Sequence, residues 1–241
     1  MIQPVRAIAL RRVAVVILTA AGLNSLPFSV WGAELHVGAA TVDITPSKPV
    51  SLTGQRRVRI SIKPETPIQA SVLAIEAREG DKVIDQAIMV SCDLVAIRGG
   101  VLEKSRSKIG EALDDFDPSK LFLAATHTHT APTLIQGRYT LPESGVMQPA
   151  DFVEWATDRI AGAAVEAWEK RKPGQVAWGQ GHAVVAQNRR PFYDDGTAKM
   201  YGKTDTPGSP GPDPHDAHSM DVPSFWDQAD RLVATTVHLP C

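Results

Sequence analysis

The sequence predicts an α/β fold in which helices pack on a mixed β-sheet, and three observations support it. An apolar segment at 83–94, a helical pattern at 101–116 and a short apolar segment at 120–126 follow one another, as in a β-α-β unit. A second helical pattern covers 151–172. The 241 residues, 43% of them hydrophobic, suffice for one large domain or two small ones.

The charge and cysteine content exclude several protein classes. The net charge of −2 produces no strong overall field toward nucleic acid or an anionic membrane surface, and we expect no nucleic-acid partner. The two cysteines, Cys92 and Cys241, form neither a disulfide framework nor a cysteine-based zinc module. Cys92 lies in an apolar run and is expected to be buried.

Residues 1–33 resemble a signal peptide. Three arginines precede an uncharged, mostly apolar stretch at 13–23, which is too short to span a bilayer, and small residues at 32 and 33 provide a cleavage zone. The alternative is an uncut N-terminal anchor. We expect export, hence a secreted or periplasmic protein with a domain at 34–241.

The first half of this domain is predicted to be rich in strands. A strand at 36–44 ends at Thr45-Pro46, and segments 69–78 and 83–94 form a hairpin. Between them, the basic run at 55–59 is either a loop facing substrate or a solvated loop. Asp93, at the end of the hairpin, either orients a metal-binding histidine or caps a turn.

The second half continues with the helix at 101–116 and a buried, central strand at 120–126. The loop at 131–150 is long enough for a lid or rim. Asp151 and Glu154 predict a capping box for the helix at 151–172, which Pro173-Gly174 would end.

The last segments are predicted as a strand at 175–185, a loop at 191–224 and a strand at 231–238. The loop contains His215 and His218, which are either a metal pair or solvated loop residues.

His127 and His129 are the main candidate functional residues. They follow the apolar run Leu121–Ala125 directly, at the position where α/β proteins place their sites. If the chain stays extended, both side chains leave the same face. Neutral imidazole binds metals and carries protons near neutral pH, so this pattern predicts a metal site at strand C-terminal ends. The alternative is a hydrogen-bonded polar turn.

Four motifs resemble the N-terminal part of the neutral/alkaline (non-lysosomal) ceramidase family, and they occur in the family's order. They are Gly-Ala-Ala-Thr-Val-Asp-Ile-Thr-Pro at 38–46, Val-Ser-Cys-Asp-Leu at 90–94, Ala-Thr-His-Thr-His-Thr-Ala-Pro at 125–132 and Asn-Arg-Arg at 188–190. The resemblance covers about 35–190 and extends loosely to 241.

The resemblance implies a zinc-dependent amidase that hydrolyses the N-acyl bond of ceramide-like sphingolipids to a sphingoid base and a fatty acid. It implies that His127 binds Zn²⁺, that His129 contacts substrate or the developing oxyanion, and that Arg189 is the active-site arginine. A second zinc-binding histidine falls on His238. Such a zinc ion lowers the pKa of its bound water, and cations or N–H donors stabilise the oxyanion.

The resemblance also implies a lipid substrate and allows peripheral contact with a membrane. In the family, a glutamate and a tyrosine from a later part of a longer chain complete the zinc ligands, so we expect 34–241 to be an incomplete catalytic domain. Two alternatives stay open. One is a non-catalytic remnant or lipid-binding protein, and the other is a related zinc hydrolase of another amide or ester.

Overall fold

The computed structural model describes residues 32–185, 189–209, 211–212 and 218–239. Ala33–Cys241 forms one compact unit. Almost all of the predicted signal peptide, together with Asn188, His215 and Cys241, lies outside the described residues. Within the described residues, no helix is both long and apolar enough to cross a membrane.

The described residues form eleven strands, two α-helices and a short 3₁₀ turn at Pro118–Lys120. The elements are β1 (Glu34–Asp43), β2 (Ser51–Leu52), β3 (Arg59–Ile60), β4 (Gln69–Glu79), β5 (Lys82–Cys92), α1 (Val101–Ala112), β6 (Leu121–Ala125), α2 (Pro149–Glu169), β7 (Lys172–His182), β8 (Pro191–Phe192), β9 (Gly211–Pro212), β10 (Ser219–Asp227) and β11 (Leu232–Thr235).

Seven strands form one mixed sheet in the order β11-β10-β7-β1-β4-β5-β6, which confirms the predicted α/β class with a mixed sheet. Only β5 and β6 pair in parallel, and the other neighbours are antiparallel. The predicted hairpin is β4–β5, and the predicted β-α-β unit is β5-α1-β6. β2–β3 and β8–β9 form separate two-stranded pairs.

The predicted central position of the strand before the histidines is wrong, because β6 is the edge strand of the described sheet. Its side chains alternate between buried and solvent-facing, and Phe122 is 53% exposed. A five-residue apolar run does not distinguish a buried strand from an edge strand that uses one face.

Both helices differ from their predicted bounds. α1 ends at Ala112 because Leu113 is extended, but Leu113 and Phe116 are still buried and so continue the apolar pattern beyond the helix. α2 begins at Pro149, which suits the first helical position, so the predicted capping box is wrong. Glu154 lies inside the helix instead, with its carboxylate on the amines of Lys104 and Lys108 of α1.

The later strands also differ from prediction. Pro173 and Gly174 do not end a helix but lie in β7, where they pair with β1. The predicted loop at 191–224 contains β8, β9 and the beginning of β10. The predicted final strand is confirmed as the shorter β11.

The core lies between the sheet and the two helices, and Cys92 is buried in it as predicted. Helix α2 packs against β1 and β4. Gly38 in β1 permits this approach, because a Cβ atom there would overlap the carbonyl oxygen of Ala167 and lie 2.9 Å from the backbone nitrogen of Arg171.

A buried ion-pair network joins the C-terminal end of α2 to the sheet. Glu76 is 1% exposed, and its Oε2 accepts hydrogen bonds from Nε of Arg78 at 2.7 Å and Nε of Arg171 at 3.3 Å. The Arg171 guanidinium also lies 3.3 Å from the centre of the Trp168 ring.

Candidate active site

The candidate site lies where the parallel strands β5 and β6 end together. The N–H of Thr126 donates to the carbonyl of Cys92 at 3.0 Å, which holds the two strand ends side by side. His127 and His129 follow directly, as predicted, and both are exposed. The C-terminal edge of parallel strands is the usual position of sites in α/β proteins.

The backbone turns sharply at His127, whose φ is +64°. This left-handed conformation is uncommon outside glycine, and such strain tends to occur at functional sites. The chain therefore turns within the motif, whereas the shared-face prediction assumed that it stays extended. The turn brings the two side chains together instead.

The two imidazoles converge on one point. The Nε2 atoms of His127 and His129 are 3.3 Å apart, and the ring planes are inclined at 71°. Nδ1 of His127 lies 2.6 Å from the carbonyl oxygen of Val95. A carbonyl only accepts, so Nδ1 carries the proton and donates it there, which leaves the lone pair on Nε2 free for a ligand.

The spacing of the two nitrogens fits a shared zinc ion. Zn–N bonds of about 2.0–2.1 Å at a tetrahedral angle place two ligand nitrogens roughly 3.3–3.4 Å apart. The 3.3 Å between His127 and His129 has this value. However, no cluster of three or more His, Cys, Asp or Glu side chains that could hold a metal occurs in the described residues. The site thus provides two nitrogen donors.

Three features hold His129 in place. The guanidinium of Arg59 donates from Nη2 to the His129 carbonyl at 2.5 Å. The imidazole packs on bare backbone at Gly54, where a Cβ atom would lie 2.5 Å from Cγ of His129. The hydroxyls of Thr128 and Thr130 lie 3.0 Å apart and brace the loop between them.

Two arginines that the sequence did not single out share the cleft with the histidines. The cleft has a volume of about 190 Å³, and its described lining comprises Thr53, Gly54, Val95, Ala96, Arg98, His127, His129, Thr133, Leu134, Ile135 and Arg138. Arg98 lies in the loop after β5, and Arg138 lies in the loop after β6. Their positions after the two parallel strands were the signal available in the sequence.

Asp93 does not contact either histidine through a hydrogen bond. Its Oδ1 accepts from the Thr126 hydroxyl at 3.2 Å, and its Oδ2 accepts from the N–H of Gln69 at 2.9 Å. Asp93 thus ties the end of β5 to β4 and β6. The partner of His127 is the Val95 carbonyl instead.

The structure does not bring Arg189 and His238 into the cleft. The Arg189 guanidinium lies over the Tyr201 ring, 5.3 Å from its centre, and Arg189 is not among the described lining residues. His238 pairs with Asp221 near the beginning of β10 and is 80% exposed. Four strands separate β10 from β6, and the register places His238 toward the opposite end of the sheet.

A second cavity, of about 620 Å³, is separated from the histidine cleft by a short β-ribbon. The ribbon pairs residues 51–53 with 131–133 through hydrogen bonds from Thr53 N to Ala131 O and from Thr133 N to Ser51 O. Because side chains alternate along a strand, Thr53 lines the histidine cleft whereas Leu52 lines the second cavity. Arg59 lines this second cavity too.

Comparisons with known proteins show what this fold resembles. The neutral ceramidase from Pseudomonas aeruginosa matches with a TM-score of 0.62 and 18% identity over 86% of this chain and 32% of its own. A structure described as "Ceramidase complexed with C2" matches with a TM-score of 0.62 and 19% identity, over 86% of this chain and 31% of its own. No family model matches, and no curated protein does.

The motif resemblance is thus confirmed for the fold, since both solved structures are ceramidases. This chain spans about a third of their length.

Proposed function

We propose that this chain carries part of the catalytic site of a zinc-dependent amidase, which hydrolyses the N-acyl bond of ceramide-like sphingolipids. The observation that carries the proposal is the convergence of the His127 and His129 Nε2 atoms, 3.3 Å apart, at the ends of two parallel strands. The ceramidase fold supports the choice of a lipid amide as substrate.

In this proposal His127 holds the zinc ion through Nε2, and the Val95 carbonyl fixes its tautomer and orientation. Zinc, when bound, supplies a water molecule of lowered pKa and polarises the amide carbonyl. His129 donates from Nε2 to the oxyanion that develops on the substrate. Arg98 and Arg138, which line the cleft, add positive charge there and are better placed for this than Arg189.

His127 alone does not complete a zinc site, because a catalytic zinc takes three protein ligands and one open position. We propose that the remaining ligands, a glutamate and a tyrosine by the family resemblance, come from outside the described residues. His238 is not needed in this arrangement. The pattern of residues 1–33 further supports the proposal that the protein acts after export.

A second candidate function is lipid binding without catalysis. The lack of a third metal ligand close to the two histidines within the described residues favours it. A related zinc hydrolase, acting on other amides or esters, would use the same cleft. Comparing a short-chain ceramide with simple acyl esters as substrates separates these enzymatic alternatives.

The test measures zinc content and hydrolysis of a short-chain ceramide by the full chain, with and without a chelator. His127→Ala should lose both zinc and activity, and His182→Gln, on the distant strand β7, is the matched control. His129→Gln should lose activity but retain zinc. If it loses zinc as well, then the 3.3 Å spacing reflects shared coordination rather than an oxyanion contact. Full activity in His127→Ala would refute the metal assignment.

A further inference from the structure

The segment 55–66, which contains β3 and lies between the ribbon and β4, differs in charge from the rest of the chain. It reads Gln-Arg-Arg-Val-Arg-Ile-Ser-Ile-Lys-Pro-Glu-Thr and carries four cations (Arg56, Arg57, Arg59 and Lys63) against one acid, Glu65. Because the whole chain has a net charge of −2, this cluster is a local feature that bulk composition conceals. We call residues 55–66 the basic segment.

The basic segment also presents an apolar side chain to solvent. Ile62 is 96% exposed, more than any other large hydrophobic residue in the described chain, and Val58 is 43% exposed. Single exposed apolar residues are common in soluble proteins. An isoleucine with almost no protein contact beside a lysine and close to three arginines is less common, and it suits an interface that is both apolar and anionic.

The charges of this segment are available to an external partner. None of the described carboxylates forms a salt bridge with Arg56, Arg57 or Lys63. Arg59 uses one nitrogen for the His129 carbonyl. The described residues therefore form no ion pair that neutralises this positive charge, and the charge is complementary to a dense array of phosphates.

The segment also forms part of the wall of the 620 Å³ cavity. Its contribution to the lining is both apolar and charged, from Ile60, Ile62, Pro64, Arg59, Lys63 and Glu65. Since Arg59 also contacts the His129 backbone, the basic segment adjoins the candidate active site. A surface that binds at this segment is held next to the histidine cleft.

We infer that the basic segment docks the protein on an anionic lipid bilayer, with Ile62 entering the interface and Arg56 and Arg57 contacting lipid phosphates. The purpose of this docking, delivery of a lipid substrate to the cleft, rests on the proposed function, but the docking itself does not. A bilayer is favoured over nucleic acid because Ile62 gains from an apolar medium, whereas a sugar-phosphate backbone offers it little.

Vesicle flotation of the full chain tests the inference without any substrate. The vesicles are phosphatidylcholine alone or phosphatidylcholine with phosphatidylglycerol, and the protein should bind the second kind and dissociate at high salt. Each basic residue near an anionic surface contributes about 1 kcal/mol, so the double change Arg56→Ser and Arg57→Ser should weaken partitioning about 30-fold. Ile62→Ser should weaken it about tenfold, and Ile62→Leu should not.

Two matched controls lie at other exposed positions. Lys82→Ser removes a cation from the turn at the far end of β4–β5, and Leu232→Ser removes an apolar side chain that is 60% exposed on β11. Neither should change vesicle binding. All the substituted side chains are exposed, so the thermal unfolding midpoints should stay near that of the wild type.

Three results would overturn the inference: equal binding to both kinds of vesicle, unchanged binding by the basic-segment variants, or equal losses in the controls. Binding to duplex DNA that depends on Arg56 and Arg57 but not on Ile62, with no vesicle binding, would assign the segment to nucleic acid instead. Vesicle binding should persist in a chelator, because docking does not need zinc. If the protein binds vesicles but does not hydrolyse ceramide even without a chelator, that result counts against the proposed function and not against docking.

Discussion

Gly54 determines where the His129 imidazole can lie, and Gly54→Ala tests this directly. The φ of Gly54 is +87°, and a Cβ atom there would lie 2.5 Å from Cγ and 2.7 Å from Nδ1 of His129. Carbon atoms in favourable contact are about 3.5–4.0 Å apart. The imidazole therefore has to move by roughly 1 Å to make room for the methyl group.

Such a displacement is large for a catalytic group. A donor to a developing oxyanion has to lie about 2.7–3.1 Å from the oxygen, so a shift of roughly 1 Å takes the His129 Nε2 out of hydrogen-bond reach. We expect hydrolysis of a short-chain ceramide to slow at least tenfold, whereas the zinc ion on His127 should be retained. The left-handed backbone should cost a further 1–2 kcal/mol or so of unfolding free energy.

The control is Gly145→Ala, because Gly145 has a φ of +78° and no atom within 4 Å of its would-be Cβ. Both variants should lose similar stability in urea unfolding, but only Gly54→Ala should slow hydrolysis. An NMR cross-peak between the His127 and His129 rings gives a readout without substrate, and it should vanish in Gly54→Ala alone. Equal hydrolysis rates and equal ring contacts in both variants would refute the reasoning.

Three further predictions concern stability. Gly38→Ala should lower the free energy of unfolding by about 1–3 kcal/mol, measured in urea, because its methyl group overlaps the α2 backbone, whereas Gly162→Ala in the open part of α2 should not destabilise. Glu76→Ala should lower it by about 1–3 kcal/mol, because Arg171, whose side chain is 8% exposed, loses one of its two carboxylate partners and keeps only Asp115; an unchanged urea midpoint would contradict this. Hydrogen bonds from two α1 lysines lower the pKa of Glu154 to about 2 from its usual 4.5. Wild type should therefore be more stable than Glu154→Gln by its full margin above pH 4.5, and this margin should disappear as the pH falls through about 2. Acid titrations of unfolding measure it.

The strands with a strong local pattern were predictable, and those that depend on distant partners were not. The hairpin β4–β5 and the unit β5-α1-β6 follow from apolar periodicity and a short connection. The edge position of β6 depends on which strands pair beyond it, which no local pattern encodes. Pro173 similarly predicts the end of a helix, but its pairing with His36 of β1 makes it part of a strand.

The candidate site likewise contains residues that the sequence predicts and residues that it does not. His127 and His129 were identifiable because two histidines directly follow an apolar run. The contact that orients His127 comes from the backbone carbonyl of Val95, and no side-chain pattern predicts a backbone acceptor. Arg98 and Arg138 reach the cleft through loops whose course is set by tertiary packing, so the sequence predicted only the arginine of the family motif, Arg189.

The narrow junction between β1 and β7 has a consequence for folding. The two strands pair over three residues, 35–37 against 172–174, whereas β1–β4 and β7–β10 pair over nine or more. The junction joins segments distant in sequence, so its loop-closure entropy is large and it should form late. We expect β7, β10 and β11 to open as one cooperative unit while β1, β4, β5 and β6 stay closed, giving two classes of amide hydrogen exchange rate across a single continuous sheet.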